Sequence, residues 1–182
     1  MARKILITGA EGQLGKALQI GLTDKFNILS TTRQPTQLAK NQRNVQKLDI
    51  TDKENISNVL ESFKPDIIIN CAAYTNVDGS EINKDLAHQV NVEGLRNLIQ
   101  LSNINTYLIQ ISSDYVFDGD NGPYSEDEHT FPVNYYGKTK LQAEQITLNA
   151  SPKNVILRTA VIYGWHKKSR FTNWVSGKVL TL

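Results

Sequence analysis

Tyr136 and Lys140 lie four residues apart in Tyr136-Gly-Lys-Thr-Lys140, a stretch predicted to be helical. Residues at this spacing share a helical face, so the ammonium would sit beside the phenol. A tyrosine titrates near pH 10 on its own, and a close cation favours its ionised form. Bringing it to about 7 requires roughly three units, or about 4 kcal/mol of differential stabilisation. One lysine, a bound positively charged group and a hydrogen bond from a hydroxyl could share that task. Such a tyrosine would give or take a proton at neutral pH. The plain alternative is a surface pair on an amphipathic helix, and the rest of the chain has to decide between the two.

The elements needed around such a pair are present. Lys4-Ile-Leu-Ile-Thr8 reads as a short strand, followed by Gly9-Ala-Glu-Gly12-Gln-Leu-Gly15 and a helical face of Leu14, Leu18 and Leu22, with Ala17 and Gly21 beside them. Strand, glycine turn and helix form the setting of a nucleotide-phosphate site. Glycines permit the tight turn, and a helix N-terminus offers free N–H groups to a pyrophosphate. Gly9, Gly12 and Gly15, with Glu11, Gln13 and Leu14 between them, are therefore candidate dinucleotide-binding residues. The spacing is G-x-x-G-x-x-G rather than G-x-G-x-x-G, and a glycine turn without a ligand is the alternative. The second strand, Phe26–Thr31, leads into Thr32-Arg33-Gln34, with no carboxylate before Asp49. Arg33 would pair with a 2′-phosphate where a carboxylate would repel it, which favours NADP over NAD; a solvated loop arginine is the alternative.

Further along, Val45–Leu48 is a brief strand leading to Asp49 and Ile50, placed to face an adenine edge. Thr51 or Asp52 would cap a helix carrying Ile56, Val59, Leu60 and Phe63. Asp66–Cys71 is a nearly unbroken apolar strand, as expected in a parallel sheet covered on both faces. Ala72 and Ala73 follow it, small enough to let a nucleotide approach the backbone. A long helix is predicted from Glu81 to Ser102, burying Val90, Val92, Leu95 and Leu98. Tyr107–Ser112 and Asn154–Arg158 are the fifth and sixth strands. The alternation predicts an α/β fold: a Rossmann-like, doubly wound parallel sheet with helices on both faces. Ligands of such sheets bind at the carboxyl ends of the strands. There Ser112-Ser113-Asp114-Tyr115 could present a hydroxyl to a substrate carbonyl, or simply form a turn.

Composition narrows the classes. The 182 residues suffice for one core, read as a single domain over 1–182. A net charge of +2 is too small to imply a nucleic-acid or membrane-surface partner. The lone Cys71 excludes an internal disulfide framework and suits a reducing cytoplasm. No apolar run approaches the roughly 18 residues of a membrane span, and the basic start leading into a strand is too short for a signal peptide. Cys71 reads as core, Trp165 and Trp174 as packing residues, and His166–Arg170 as a solvated loop rather than a diphosphate contact. His88 and His129 have no partners at metal-ligand spacing. Asp118-Gly-Asp-Asn-Gly122 fails as a calcium loop, because Gly122 takes a ligand position.

The combined motifs resemble the extended short-chain dehydrogenase/reductases. Within them, the dTDP-4-dehydrorhamnose reductase family is matched by Cys71–Asp78 with Glu81, Ser112–Gly119, Pro123–Glu126, Pro132–Leu141 and Arg158–Gly164. The resemblance implies reduction of the C4 keto group of dTDP-4-dehydro-L-rhamnose, with NADP(H) as cofactor and NAD(H) as the alternative. Tyr136 would be the proton donor, Lys140 would tune it and bind the nicotinamide ribose, and Ser113 would orient the carbonyl, where the family more often has threonine. Tyr135, five residues from Lys140, is the wrong register. The resemblance adds Cys71, Ala72, Ala73, Tyr74 and Asn91 to the cofactor site. On the later strands it adds Ile111, Ser112, Thr159 and Val161, and near the sugar it places Val77 and Tyr115. It admits a homodimer.

Family members are considerably longer, and their later part supplies much of the sugar pocket. Residues 165–182 resemble the beginning of that part, with Phe171–Val175 like the start of its first helix, so most of the C-terminal substrate lobe is expected to be missing. The expectation is a chain that binds dinucleotide and holds its sugar poorly. Two alternatives stand beside this: another nucleotide-sugar epimerase or dehydratase, and a non-catalytic NADP-binding subunit like the methionine adenosyltransferase β subunit.

Overall fold

A computed structural model describes residues 2–35 and 45–163. The predictions made for Trp165, His166–Arg170, Phe171–Val175 and the remainder of 165–182 lie outside the described residues. The elements in chain order are β1 (Lys4–Thr8), α1 (Gln13–Leu22), β2 (Asn27–Thr32), β3 (Val45–Lys47), α2 (Lys53–Phe63) and β4 (Ile67–Asn70). After them come α3 (Val77–Ile82), α4 (Lys84–His88), a π-helical turn (Gln89–Glu93), α5 (Gly94–Leu101), β5 (Tyr107–Ser113), a 3₁₀ turn (Asp114–Val116), α6 (Tyr135–Ala150) and β6 (Val155–Thr159). The six described strands are all parallel, in the order β3-β2-β1-β4-β5-β6. The fold is the Rossmann-like α/β sheet that the alternation predicts.

Two apolar layers hold the helices to the sheet. Leu6, Ile68 and Leu108 point to one face and pack with Ile56, Val59 and Leu60 of α2, Leu95 and Leu98 of α5, and Ala143 of α6. Ile5, Ile7, Ile28 and Ile69 alternate to the other face, against Leu18 and Leu22 of α1. This two-sided burial explains why β4 carries apolar residues without alternation. Asp52 is the cap of α2, its side chain accepting from the Asn55 amide at 3.0 Å.

The predicted long helix is divided. Asn76 caps α3, Asn83 breaks it with φ −116° and ψ 63°, and the helix that follows passes through the π turn at Gln89–Glu93. The extra residue of a π turn displaces the side chains around it, and such turns concentrate at functional sites. Here Asn91 is turned into the protein. Its Oδ1 accepts from the Tyr74 amide at 2.7 Å, and its Nδ2 donates to the Tyr74 carbonyl at 3.1 Å and the Thr139 hydroxyl at 2.9 Å. One side chain thus joins the loop after β4 to α6.

A polar ladder crosses the sheet at its carboxyl end. The Thr8 hydroxyl donates to Asn70 Oδ1 at 2.5 Å and accepts from the Ala72 amide at 3.2 Å. Asn70 Nδ2 donates to Gln110 Oε1 at 2.8 Å, and Gln110 Nε2 to the Ile111 carbonyl at 2.9 Å. Thr8, Asn70 and Gln110 are all buried, so each bond stands in for lost water. Asn70→Ala would strand the Thr8 hydroxyl and the Gln110 carbonyl, at about 1–3 kcal/mol for each orphaned group. Urea unfolding should show a loss of at least about 2 kcal/mol by that reckoning; an unchanged midpoint would mean that the ladder contributes nothing.

Candidate active site

Strand order reverses between β1 and β4, and the chain opens a crevice over their carboxyl ends. The cleft there has a volume of about 490 Å³ and continues past the ends of β5 and β6 to α6. One wall is the glycine turn. Gly9 has φ +61°, and a Cβ on it would lie 2.7 Å from the Cys71 carbonyl oxygen. Gly15 meets the backbone of Gly9 and Ala10 equally closely, so α1 starts directly against the turn. The Ala10 amide donates to the Thr31 carbonyl at 2.9 Å, tying the turn to β2. Gly12 caps α1 without a side-chain hydrogen bond, so no side chain competes for the amides of its first turn. This wall therefore fits an anionic diphosphate.

The opposite wall carries the proton-transfer candidates. Asn134 caps α6 through the Gly137 amide at 2.7 Å, fixing where the helix begins. Tyr136 and Lys140 emerge on its buried side, 9% and 3% exposed. Lys140 Nζ donates to the Ile111 carbonyl at 2.5 Å, the same oxygen that ends the polar ladder. The Ser113 hydroxyl donates to Asp114 Oδ1 at 2.9 Å and accepts from the Tyr115 amide at 3.3 Å. The Tyr115 and Tyr136 rings meet edge to face, centroids 5.7 Å apart. Gly137 makes that approach possible, since a Cβ there would fall 2.1 Å from the Tyr115 carbonyl oxygen.

Electrostatics among the protein's own groups run opposite to one expectation. Burial pushes the Tyr136 phenol above its ordinary value, opposed by Ser113 and reinforced by the charge of Asp114. Lys140 does not draw it down here; burial takes Lys140 itself down to about 8, with Glu144 and Cys71 opposing the fall. Any activation of Tyr136 therefore has to come with what enters the cleft. Burial also pushes the Cys71 thiol up to about 12, which keeps it a neutral wall residue and not a nucleophile.

Most of the sequence-predicted residues converge on this cleft. Gly9, Gly12, Gln13, Leu14 and Gly15 line it from the turn, and Cys71, Ala73 and Val77 from the segment after β4. Ile111, Ser112, Ser113 and Tyr115 contribute from β5 and the turn after it, and Tyr136, Lys140, Thr159 and Val161 complete it. Ser112 Oγ is buried with no hydrogen-bond partner among the described residues. Glu11, Ala72, Tyr74 and Asn91 do not line the cleft; the first three adjoin lining residues in the chain, Asn91 is hydrogen-bonded to Tyr74, and Arg33 is exposed at the end of β2. Asp49 and Ile50 also lie away from the lining. The Asp49 carboxylate accepts from the Thr51 amide and hydroxyl at 2.9 and 2.7 Å, and Ile50 is buried against Gly94.

Sequence reasoning missed Asn70, Asp114 and Glu144. Glu144 could have been noticed, because it continues the four-residue spacing of Tyr136 and Lys140. It is 2% exposed and forms a two-pronged pair with Arg158 of β6 at 2.8 and 2.9 Å. Arg158 also donates to the Glu126 carbonyl at 2.9 Å and lies over the Phe117 ring, itself stacked on Tyr124. Among the described residues no cluster of His, Cys, Asp or Glu could hold a metal ion, and no helix is long and apolar enough to cross a membrane.

The strand order, with a glycine-walled crevice at its switch point, is that of a Rossmann-like sheet, a class of fold that takes its ligands at such a crevice. The chain belongs to the RmlD substrate-binding domain family, matched over residues 3–177, within the extended short-chain dehydrogenase/reductases. It is 40% identical over 168 residues to dTDP-4-dehydrorhamnose reductase of Aggregatibacter actinomycetemcomitans, covering 90% of this chain and 53% of that protein. It is 36% identical over 164 residues to methionine adenosyltransferase 2 subunit beta of Rattus norvegicus, covering 90% and 48%. Its structure is similar to that of dTDP-4-dehydrorhamnose reductase from Bacillus anthracis in complex with NADP, with a TM-score of 0.85, 36% identity, and coverage of 98% of this chain and 61% of that one. The chain spans about half the length of the curated relatives it matches.

Two outcomes follow from the geometry. Gly137→Ala gains about 1 kcal/mol in helix propensity. It must also push the Tyr115 backbone aside, at about 1–3 kcal/mol or more for overpacking. A net loss of stability in urea, together with an altered near-UV signal from the Tyr115–Tyr136 contact, is expected; a more stable variant would contradict the tight approach. For Lys140, the folded pKa of about 8 lies below the ordinary lysine value of 10.5, so the unfolded chain holds more protons between them and stability rises with pH across that window. Relative to Lys140→Met, the wild type should gain about 3 kcal/mol between those pH values. A difference that stays flat would place Lys140 in water.

Proposed function

We propose that this chain binds NADP(H) across the glycine turn and serves the reduction of a keto group on a nucleotide sugar, with the C4 keto group of dTDP-4-dehydro-L-rhamnose as the substrate. The observation that carries the reading is the meeting of two unrelated features in one cleft. A turn built to let a diphosphate reach the N-terminus of α1 faces a buried tyrosine and lysine with a serine hydroxyl beside them. The dinucleotide, when bound, supplies the hydride.

The protein's own groups have the remaining work. Gly9, Gly12 and the first amides of α1 hold the diphosphate, and Arg33 at the end of β2 meets the 2′-phosphate. Ser113 orients the carbonyl by hydrogen bonding, and Tyr136 Oη gives the proton to the oxygen that becomes a hydroxyl. Lys140 leaves the Ile111 carbonyl for the ribose hydroxyls. Gln110 Nε2 still satisfies that carbonyl after Lys140 moves, so no buried acceptor is stranded. Placed at the ribose, the Lys140 cation would oppose the burial that raises the Tyr136 phenol and so ease the loss of its proton.

A non-catalytic reading has support in the 36% identity to methionine adenosyltransferase 2 subunit beta over the same span. Calorimetry with NADPH and NADH, followed by nicotinamide absorbance on adding the dTDP-sugar, separates the two. NADPH uptake is expected, tighter than NADH, with weak turnover from a chain that spans half of its relatives. Tyr136→Phe should cut that turnover roughly 10²–10⁴-fold and leave NADPH affinity unchanged. Turnover unaffected by Tyr136→Phe, or no nucleotide uptake, would overturn the reading.

A further inference from the structure

Glu144 is a buried carboxylate that the proton-transfer reading leaves unused. Tyr136, Lys140 and Glu144 follow at four-residue spacing along α6 and so share one face. Removing a carboxylate from water costs several kcal/mol, and a purely structural ion pair often fails to offset it. Its two-pronged pairing with Arg158 fixes its position, because both carboxylate oxygens are engaged by one rigid guanidinium. One turn earlier, the Lys140 ammonium has lost its water and meets the neutral Ile111 carbonyl. Glu144 is the negative group that acts on it most strongly.

The other titratable groups around α6 are occupied elsewhere. Cys71, facing Lys140 from the end of β4, is a neutral thiol, and Asp114 acts on Tyr136. Glu81 of α3 accepts from the Tyr135 amide, and Glu93 of the π turn pairs with Arg96 at the surface. His88 is half-buried on α4.

We propose that Glu144, clamped by Arg158, is a positioning residue for the Tyr136–Lys140 pair, the counter-charge that keeps Lys140 a cation inside the cleft. Arg158 sets how much of that negative charge Lys140 feels. The purpose of this device rests on the proton-transfer reading, but its existence does not. It also ties Glu144 to the segment from Phe117 to Glu126, because the same guanidinium holds both.

The test is an NMR titration of protein labelled with [¹³Cε]lysine, with the Lys140 resonance assigned by its loss in Lys140→Met. The wild-type midpoint is expected near 8. Glu144→Gln should lower it by roughly one unit or more, and Arg158→Gln should raise it, since Glu144 then acts on Lys140 undiluted. Loosened packing would move both variants the same way or neither, and either result overturns the proposal. If Glu144→Gln does not fold, Glu144→Gln with Arg158→Met removes both charges and should show a smaller fall in the same direction, because no unpaired Arg158 cation remains; an unmoved or raised midpoint there also overturns it. No dinucleotide or sugar is present in the titration. Failure of NADPH to bind would therefore sink the proton-transfer reading without touching this result.

Discussion

An ammonium ion withdrawn from water is the constraint around which this cleft is arranged. Lys140 loses its hydration on the inner side of α6 and is given the Ile111 carbonyl in exchange. A neutral acceptor repays only part of the desolvation, and burial accordingly weakens the hold of Lys140 on its proton. The Ile111 carbonyl is itself the last member of the ladder from Thr8 through Asn70 and Gln110. The glycine turn and the lysine, on opposite walls, are thus connected by a continuous line of buried hydrogen bonds. In a low-dielectric interior such a chain is stiff, because breaking any member strands its neighbours.

The helices set the same geometry from outside. Asn134 decides where α6 begins, and that start decides which of two adjacent tyrosines turns inward. Tyr136 is buried with Lys140, while Tyr135 is partly exposed and takes the Lys84 ammonium over its ring. Gly137 lets the helix sit against the backbone of Tyr115, so the two aromatic rings meet without either helix or turn giving way. Asn91 then fastens α6 to the loop after β4. Each contact is made by a small or amide side chain at a point where a larger residue would hold the elements apart.

Much of this was legible in the sequence because it depends on local patterns. The strands follow from runs such as Ile67-Ile-Ile, the glycine turn from its own spacing, and the Tyr136–Lys140 face from helical periodicity. What was not legible depends on partners distant in the chain. Gln110 looks like an interruption in an apolar strand until Asn70, forty residues earlier, is seen beside it. Glu144 reads as an ordinary helix-surface acid until Arg158 arrives from β6. The predicted continuous helix from Glu81 failed because apolar spacing does not report Asn83 or the π turn. Proximity also misled in one respect: burial and the charge of Asp114 raise the Tyr136 phenol, and the hydroxyl of Ser113, not the lysine one turn along, is what opposes them.

The π turn at Gln89–Glu93 carries a consequence for how this region can vary. A regular α-helix advances about 100° per residue. A π turn takes in one residue more than an α turn by widening, so the helix beyond it keeps its rotational phase. Deleting that residue would let the turn tighten to α geometry with Leu95 and Leu98 still on the sheet, while the side chains of the turn shift and Asn91 leaves Tyr74. Shortening this helix by one residue would thus unfasten the cleft and spare the core.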